Sequence, residues 1–282
     1  MLLKVIVVFI DVSLNNQARL DYAVKIARRY GAHLAGLYIA PTYWETSPSK
    51  IYDIGSDAST ELTRFQREEE QETLKKAREV FNAATHSEKI DSEFHIIKDS
   101  ADDMQFRSIL LYTDLIIVGT PGTNGLPKNW SAQAILLATD VPFLIVPNGW
   151  RCQSGEIGKR IMLSWNGSRE SRRAIMDSLP FLSAAQSVSV VDVVKEKYPH
   201  HGDSLGTDFL LFISRHGIQV AVDVLLSQDR PSAAVLLQYA AVHDIDLIIL
   251  GAYSHCQSGV IIFRGLARSL LHVTTVPLLI AH

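Results

Sequence analysis

Residues Asp246 to Ala281 read DLIILGAYSHCQSGVIIFRGLARSLLHVTTVPLLIA, and most of this stretch has an earlier counterpart in Asp114 to Val146, DLIIVGTPGTNGLPKNWSAQAILLATDVPFLIV. Each copy runs an Asp, four apolar residues, a Gly, a polar loop, a short amphipathic run, Thr-x-Val-Pro and a final apolar triplet. A repeat of this length, once in each half of the chain, indicates an internal duplication. Leu247 to Leu250 and Leu115 to Val118 are continuous apolar runs, which suits parallel strands covered on both faces. Gly251 and Gly119 then fall at the carboxyl ends of those strands, where a doubly wound sheet places its ligand crevice. Gly265, Leu266, Leu270 and Leu271 repeat at helical spacing, and Val276-Pro277 ends that helix before another buried strand. Glycine, loop and helix start together make a phosphate cradle, because backbone N–H groups and the helix dipole both favour an anion there.

Working outward, the 282 residues suit about two domains of 100 to 200 residues. Apolar residues make up 47% of the chain and charged residues 20%, an ordinary globular balance. Up to Trp150 there are 15 Lys and Arg against 19 Asp and Glu, and beyond it 12 against 11. Neither half is a basic or acidic partner surface, so the expectation is no nucleic acid and no membrane. The two cysteines, Cys152 and Cys256, have neither the number nor the spacing of a disulfide framework or zinc site. Met1 to Ile10 is too short to span a bilayer and leads into Asp11 rather than a cleavage site, so it reads as a buried first strand and the cytoplasm is the expected location.

The first half alternates strand and helix: strand Val5 to Ile10, helix Asn15 to Tyr30, strand His33 to Ile39, a loop over Pro41 to Ser59, a charged helix Glu61 to Ala84, strand Phe94 to Ile97 and helix Asp102 to Tyr112. Asn148 to Lys159 reads as the linker. The second half repeats the pattern with strand Arg160 to Trp165, helix Ser168 to Leu182, strand Ser187 to Val193, helix Thr207 to His216, strand Gln219 to Leu225 and helix Pro231 to His243. Strands alternating with helices imply a parallel sheet with right-handed crossovers, built twice. The expected fold is α/β: two doubly wound, five-stranded parallel sheets in flavodoxin-like order, one in 1–148 and one in 149–282.

The run Trp165-Asn166-Gly167-Ser168-Arg169-Glu170-Ser171-Arg172-Arg173-Ala174, together with Gly251-Ala252-Tyr253-Ser254-His255 through Phe263-Arg264-Gly265 and the Thr-Val-Pro before the last strand, resembles a universal stress protein. The resemblance covers essentially the whole chain, as two such domains in tandem. It implies that the fifth strands, Phe143 to Val146 and Leu278 to Ala281, pair across a pseudo-twofold, so that one chain mimics a dimer of single domains. Further self-association as a homodimer is a corollary. Pairing would also hide two apolar edge strands.

Nucleotide-binding members of that family place an Asp at the end of strand one against the adenosine, and wrap the phosphates with Gly, two residues, Gly, nine residues, Gly, then Ser or Thr. By this resemblance the second half has Asn166 for the Asp, followed by Gly167 and Ser168. Gly251 matches, Ser254 and Arg264 replace the second and third glycines, and Gly265 takes the hydroxyl position. The Asn166 amide oxygen can accept one hydrogen bond, and the Arg264 guanidinium can pair with phosphate oxygens. In the first half Asp11, Gly119 and Gly122 are intact, but Gly119 to Val141 spans 22 positions against 25 from Gly251 to Val276. That shortening brings Trp130 to a place where backbone must approach a phosphate, so the first site is expected to be closed or altered. The implied ligand is ATP or a related adenine nucleotide, with the second half favoured. The bland alternative is that the strand-end glycines serve only tight turns.

Neither G-x-G-x-x-G nor G-x-x-x-x-G-K-[ST] occurs after a strand, so the dinucleotide and P-loop readings lack their parts. His255 and Cys256 beside Ser254 lack an identifiable acid partner, and no catalytic residue is assigned. His200 and His201 lack a third ligand, so no metal is expected. Arg169 could face a ligand, whereas Arg172 and Arg173 read as surface. Tyr43, Trp44, Tyr52 and Phe65 form an aromatic cluster that either packs under the long loop or covers the first crevice, where it would favour an apolar ligand. The function expected is a stress-response sensor or signalling protein that binds a small ligand without turnover. A weak ATP-hydrolysing enzyme and an interaction scaffold without nucleotide are the alternatives.

Overall fold

The apolar runs become the strands of one sheet in the computed structural model, which describes residues 3–11, 16–40, 56–98, 108–120, 139, 141–151, 155–194, 207–252, 254–257, 260–263 and 265–281. The first half supplies β1 (Val5–Ile10), β2 (His33–Ala40), β3 (Ser92–Lys98), β4 (Leu115–Gly119) and β5 (Phe143–Val146). The second supplies β6 (Arg160–Ser164), β7 (Ser187–Val194), β8 (Ala221–Leu226) and β9 (Leu247–Gly251). After β9 come a hairpin of β10 (Ser254–Gln257) and β11 (Val260–Phe263), and then β12 (Leu278–Ala281). Helices among the described residues include α1 (Asn16–Tyr30), α2 (Ser56–Ser87), α3 (Arg169–Ser183), α4 (Thr207–Arg215), α5 (Ser232–Val242) and α6 (Leu266–Val273).

The strand order is β3-β2-β1-β4-β5-β12-β9-β6-β7-β8. Pairing is parallel within each half, and the second half repeats the order of the first from the opposite edge. The junction is antiparallel, with Leu278 opposite Ile145, Leu279 opposite Leu144 and Ile280 opposite Phe143. The fifth strands therefore pair as the resemblance implied. The two five-stranded parallel units are present, and this pairing joins them into a single ten-stranded sheet.

The unbroken apolar runs are explained by burial on both faces. Ile6, Val8, Leu115, Ile117, Ile161 and Leu163 join the core beneath α1, α2, α3 and α4, while Val7, Phe9, Ile116, Val118, Met162 and Leu250 join the core beneath α5 and α6. Alternate residues of one strand thus enter two different cores, as the period-two pleat requires. Burying each of these side chains stabilises the fold by roughly 1.5–3 kcal/mol, so a polar residue at any alternate position would be costly.

The Asp that opens each repeat ties the sheet together. Asp114 Oδ2 accepts from the amides of Lys4 (2.7 Å) and Val5 (3.0 Å) at the start of β1. Asp246 does the same for β6, accepting from the amides of Gly158 (2.9 Å), Lys159 (3.0 Å) and Arg160 (3.1 Å). Each carboxylate satisfies strand-start amides that a neighbouring strand does not reach. The linker is held against α1 as well: Lys25 Nζ donates to the Gly155 carbonyl (2.8 Å), Arg29 Nη1 to the Ile157 carbonyl (3.1 Å), and Trp150 packs on Tyr22 with ring centroids 5.0 Å apart.

Three local expectations change. The charged helix is longer than Glu61 to Ala84, because Ser56 to Ser59 join its first turn and it runs to Ser87, ending before Lys89 at φ +53°. The polar loop after Gly251 contains the β10–β11 hairpin, whose Val260 to Phe263 strand is built from β-formers beside a Ser-Gly turn signal. Phe65 is 65% exposed, while Tyr43, Trp44 and Tyr52 lie outside the described residues.

Burial holds the Asp246 carboxyl above the ordinary aspartate range, against the pull of its three amide donors. Its folded value exceeds its unfolded one, so the native state keeps this proton where the unfolded chain has lost it. Asp246 therefore subtracts stability as pH rises from about 3.9 through the raised value. Changing Asp246→Ala should cost about 1–3 kcal/mol at neutral pH, because three amides lose their acceptor. Denaturant titrations over a pH series should also show the alkaline-going fall above about pH 3.9 diminished in the variant.

Candidate functional site

The carboxyl ends of β6, β7 and β9 surround a cleft of about 430 Å³, within the size range of small-molecule sites. Ser164, Trp165 and Asn166, at the end of the central strand β6, lie between Asp192 and Val193 of β7 on one side and Leu250 and Gly251 of β9 on the other. Ser232 at the start of α5 and Gly265, Leu266 and Ala267 at the start of α6 complete the described lining. Among these described lining residues Asp192 carries the one ionisable side chain.

Each wall has a local cause. Asn166 Oδ1 accepts from the Ser168 amide (3.1 Å), which turns the chain out of β6 through Gly167 at φ +71°. The Asn166 oxygen is thus partly used by its own turn, and its NH2 group supplies the donors. Ser168 caps α3: its Oγ accepts from the Ser171 amide (3.1 Å), so this hydroxyl serves the helix. Gly265 caps α6 at φ +71°, ψ −134° without a side-chain hydrogen bond. A residue with a Cβ is strained there, and Gly265 itself offers the first amides of α6 no side-chain acceptor.

Gly251 answers a packing demand. A Cβ added to it would overlap the Glu170 carbonyl carbon and the Ser171 amide nitrogen. The start of α3 lies directly on the tip of β9, and only glycine lets it. The strand-end glycine is therefore required for close helix approach, a role distinct from both the phosphate cradle and the tight turn that the sequence offered.

The first half is built differently at the corresponding place. Ile6 pairs with Leu115, and Ile161 with Leu247, so Asp11 and Asn166 hold equivalent positions. On the helices, buried Asn16, Arg19, Leu20, Ala23 and Ile26 of α1 match Ser171, Ala174, Ile175, Ser178 and Phe181 of α3 at one constant offset. Arg19 is 4% exposed and Asp11 8%. Arg19 Nη2 donates to Asp11 Oδ2 (2.6 Å) and to Asn16 Oδ1 (3.0 Å), and its Nε donates to the Phe9 carbonyl (3.0 Å). The Nη1 end lies against Gly119, where a Cβ would overlap it. Asp11 and Gly119 are thus brought together, with a guanidinium between them.

Of the remaining sequence candidates, Ser254 lies in β10 with its side chain outside the described residues, as are Arg264, Gly122, Trp130, Cys152 and His200-His201. His255 and Cys256 share β10. Arg169 has a side chain 91% exposed and does not line the cleft. Arg173 pairs with Asp177 (2.8 Å), and Arg172 lies over the Phe212 ring (6.0 Å). Asp192, Ser232 and Arg19 were not singled out from sequence. Among the described residues no group of three or more His, Cys, Asp or Glu is placed to hold a metal ion, and no helix is long and apolar enough to cross a membrane.

A fold of this kind, with a crevice at the strand tips and a glycine-started helix beside it, defines the class of doubly wound α/β proteins. The profile described as "Universal stress protein family" matches residues 3–147, about half of the chain, and the chain belongs to that family. Among solved structures, it is similar to a universal stress protein from Archaeoglobus fulgidus, with a TM-score of 0.70 at 14% identity over 98% of this chain and 97% of that one. A Pseudomonas aeruginosa structure described as belonging to the same family gives a TM-score of 0.57 at 15% identity, over 99% and 93%. At these identities the likeness is one of fold. No curated protein matches the chain.

Because the α3 backbone rests on Gly251, Gly251→Ala should destabilise the protein by about 1–3 kcal/mol through overpacking. Thermal melts of the two proteins check this, and an unchanged midpoint would show that the helix start does not bear on the strand tip.

Proposed function

We propose that the second-half cleft binds an adenine nucleotide, ATP or a close relative, and that the protein works as a cytoplasmic stress-response sensor or signalling protein without turnover. The observation that carries this reading is the 430 Å³ cleft lying between a polar strand tip, Asn166 and Asp192, and the glycine-capped start of α6 at Gly265. Family membership supports it, as does the neutral lining around that helix start.

Charge orients the ligand. The Asp192 carboxylate accepts hydrogen bonds from hydroxyl or amino groups and repels phosphate. The base and ribose therefore lie toward β7, and the phosphates run to the α6 amides, where the helix dipole favours negative charge. Arg264, adjacent to Gly265 in sequence, belongs with the phosphates in this reading. Ser254 is assigned no role by the described residues.

Mass spectrometry of small molecules released on denaturation, with calorimetry against ATP, ADP and AMP, tests the proposal. Binding should appear at or below millimolar ligand. Asp192→Ala should weaken adenosine by about tenfold, the loss of one good hydrogen bond to a charged group, and ATP by less, because the repulsion of its phosphates is lost with the carboxylate. Gly265→Ala should weaken ATP while leaving adenosine nearly unchanged. Absence of co-purified nucleotide together with no binding heat at millimolar concentration would reject the nucleotide reading.

A further inference from the structure

We propose that the first-half strand tip, among the described residues, is occupied by the protein itself: Arg19 is the resident ligand of a guanidinium site between α1 and the tips of β1 and β4, and nucleotide binding is left to the second half. The last clause rests on the function proposed above. The guanidinium site stands on its own geometry.

Three oxygens converge on the guanidinium of Arg19: the Asp11 carboxylate (2.6 Å), the Asn16 amide oxygen (3.0 Å) and the Phe9 carbonyl (3.0 Å). The side chain is 4% exposed and presses on the tip of β4 at Gly119. A planar cation with several fixed donors matches such a set of acceptors, and a point charge such as ammonium does not. The second half supplies the contrast. At the positions equivalent to Asp11, Asn16 and Arg19 it has Asn166, Ser171 and Ala174, so carboxylate and guanidinium are replaced together. Where the pair is missing, α3 lies directly on Gly251 and an open cleft remains beside Asn166. Where it is present, the cation fills the space between strand tip and helix. Asp11, the residue that looks most like a ligand acceptor in sequence, is thereby committed inside the chain.

Two measurements test this. Wild-type protein should bind one adenine nucleotide per chain, and a stoichiometry of two would overturn the single-site inference. If no nucleotide binds, the function proposed above fails by itself and the second measurement decides. Arg19→Ala should melt roughly 10 °C below wild type, because it removes the guanidinium partner of a buried carboxylate. Millimolar methylguanidinium should restore part of that loss saturably, with methylammonium as control. Wild type and the double variant Asp11→Ala/Arg19→Ala should show no such rescue. No rescue of Arg19→Ala, or equal rescue by methylammonium or in the double variant, would overturn the guanidinium site. Should Arg19→Ala be insoluble, Asp11→Asn/Arg19→Ala, which copies Asn166 and Ala174, is expected to fold. Its failure to fold as well would also overturn the proposal, since lost packing rather than charge would then explain Arg19.

Discussion

The antiparallel pairing of β5 with β12 governs everything else in this molecule. Both are four-residue strands buried throughout, and each would otherwise leave a fully apolar edge of a five-stranded sheet in water. Joining them satisfies both edges at once. Because the junction is antiparallel while each half is parallel, the strands of the two halves point in opposite directions. Their carboxyl ends, and so their crevices, lie at opposite ends of one sheet. The two crevices are therefore physically separate, and each has been free to take its own composition.

That freedom is visible in the two strand tips. In the second half a neutral Asn, a small Ala and a close helix leave room beside the glycine-capped start of α6. In the first half a buried ion pair holds the helix and strand together through a side chain. Buried pairs of this kind contribute little to stability as a pair and cost a great deal when one partner goes. Such a pair locks the tip in one arrangement.

Much of this architecture was legible in the sequence. The repeat that opens with Asp114 and Asp246 located the duplication, and the unbroken runs Leu115 to Val118 and Leu247 to Leu250 announced strands buried on both faces. The pairing of Phe143 to Val146 with Leu278 to Ala281 followed from the family resemblance. Other features were hidden because they depend on three-dimensional approach. Asp246 only opens the repeat in sequence, and its role shows once the amides of Gly158 to Arg160 are seen around it. Gly251 reads as a turn or a phosphate cradle until the α3 backbone is seen against it. The hairpin after Gly251 reads as a polar loop, because its first strand, Ser254 to Gln257, is too polar to declare itself. Arg19 left one signal unused: it shares the apolar face of α1 with Ala23 and Ile26, and a charge on that stripe demands a buried partner. Asp192 and Ser232 gave no signal at all, since nothing local marks a residue that reaches a cleft only through sheet order.

The central claim, that ligand recognition is confined to the strand tips of the second half, is tested most directly by peptide-resolved hydrogen exchange with and without ATP. The account predicts added protection at Ser164 to Asn166 and Gly265 to Ala267, with Phe9 to Asp11 and Gly119 unchanged. Protection appearing at the first-half tip instead, or equally at both, would contradict it.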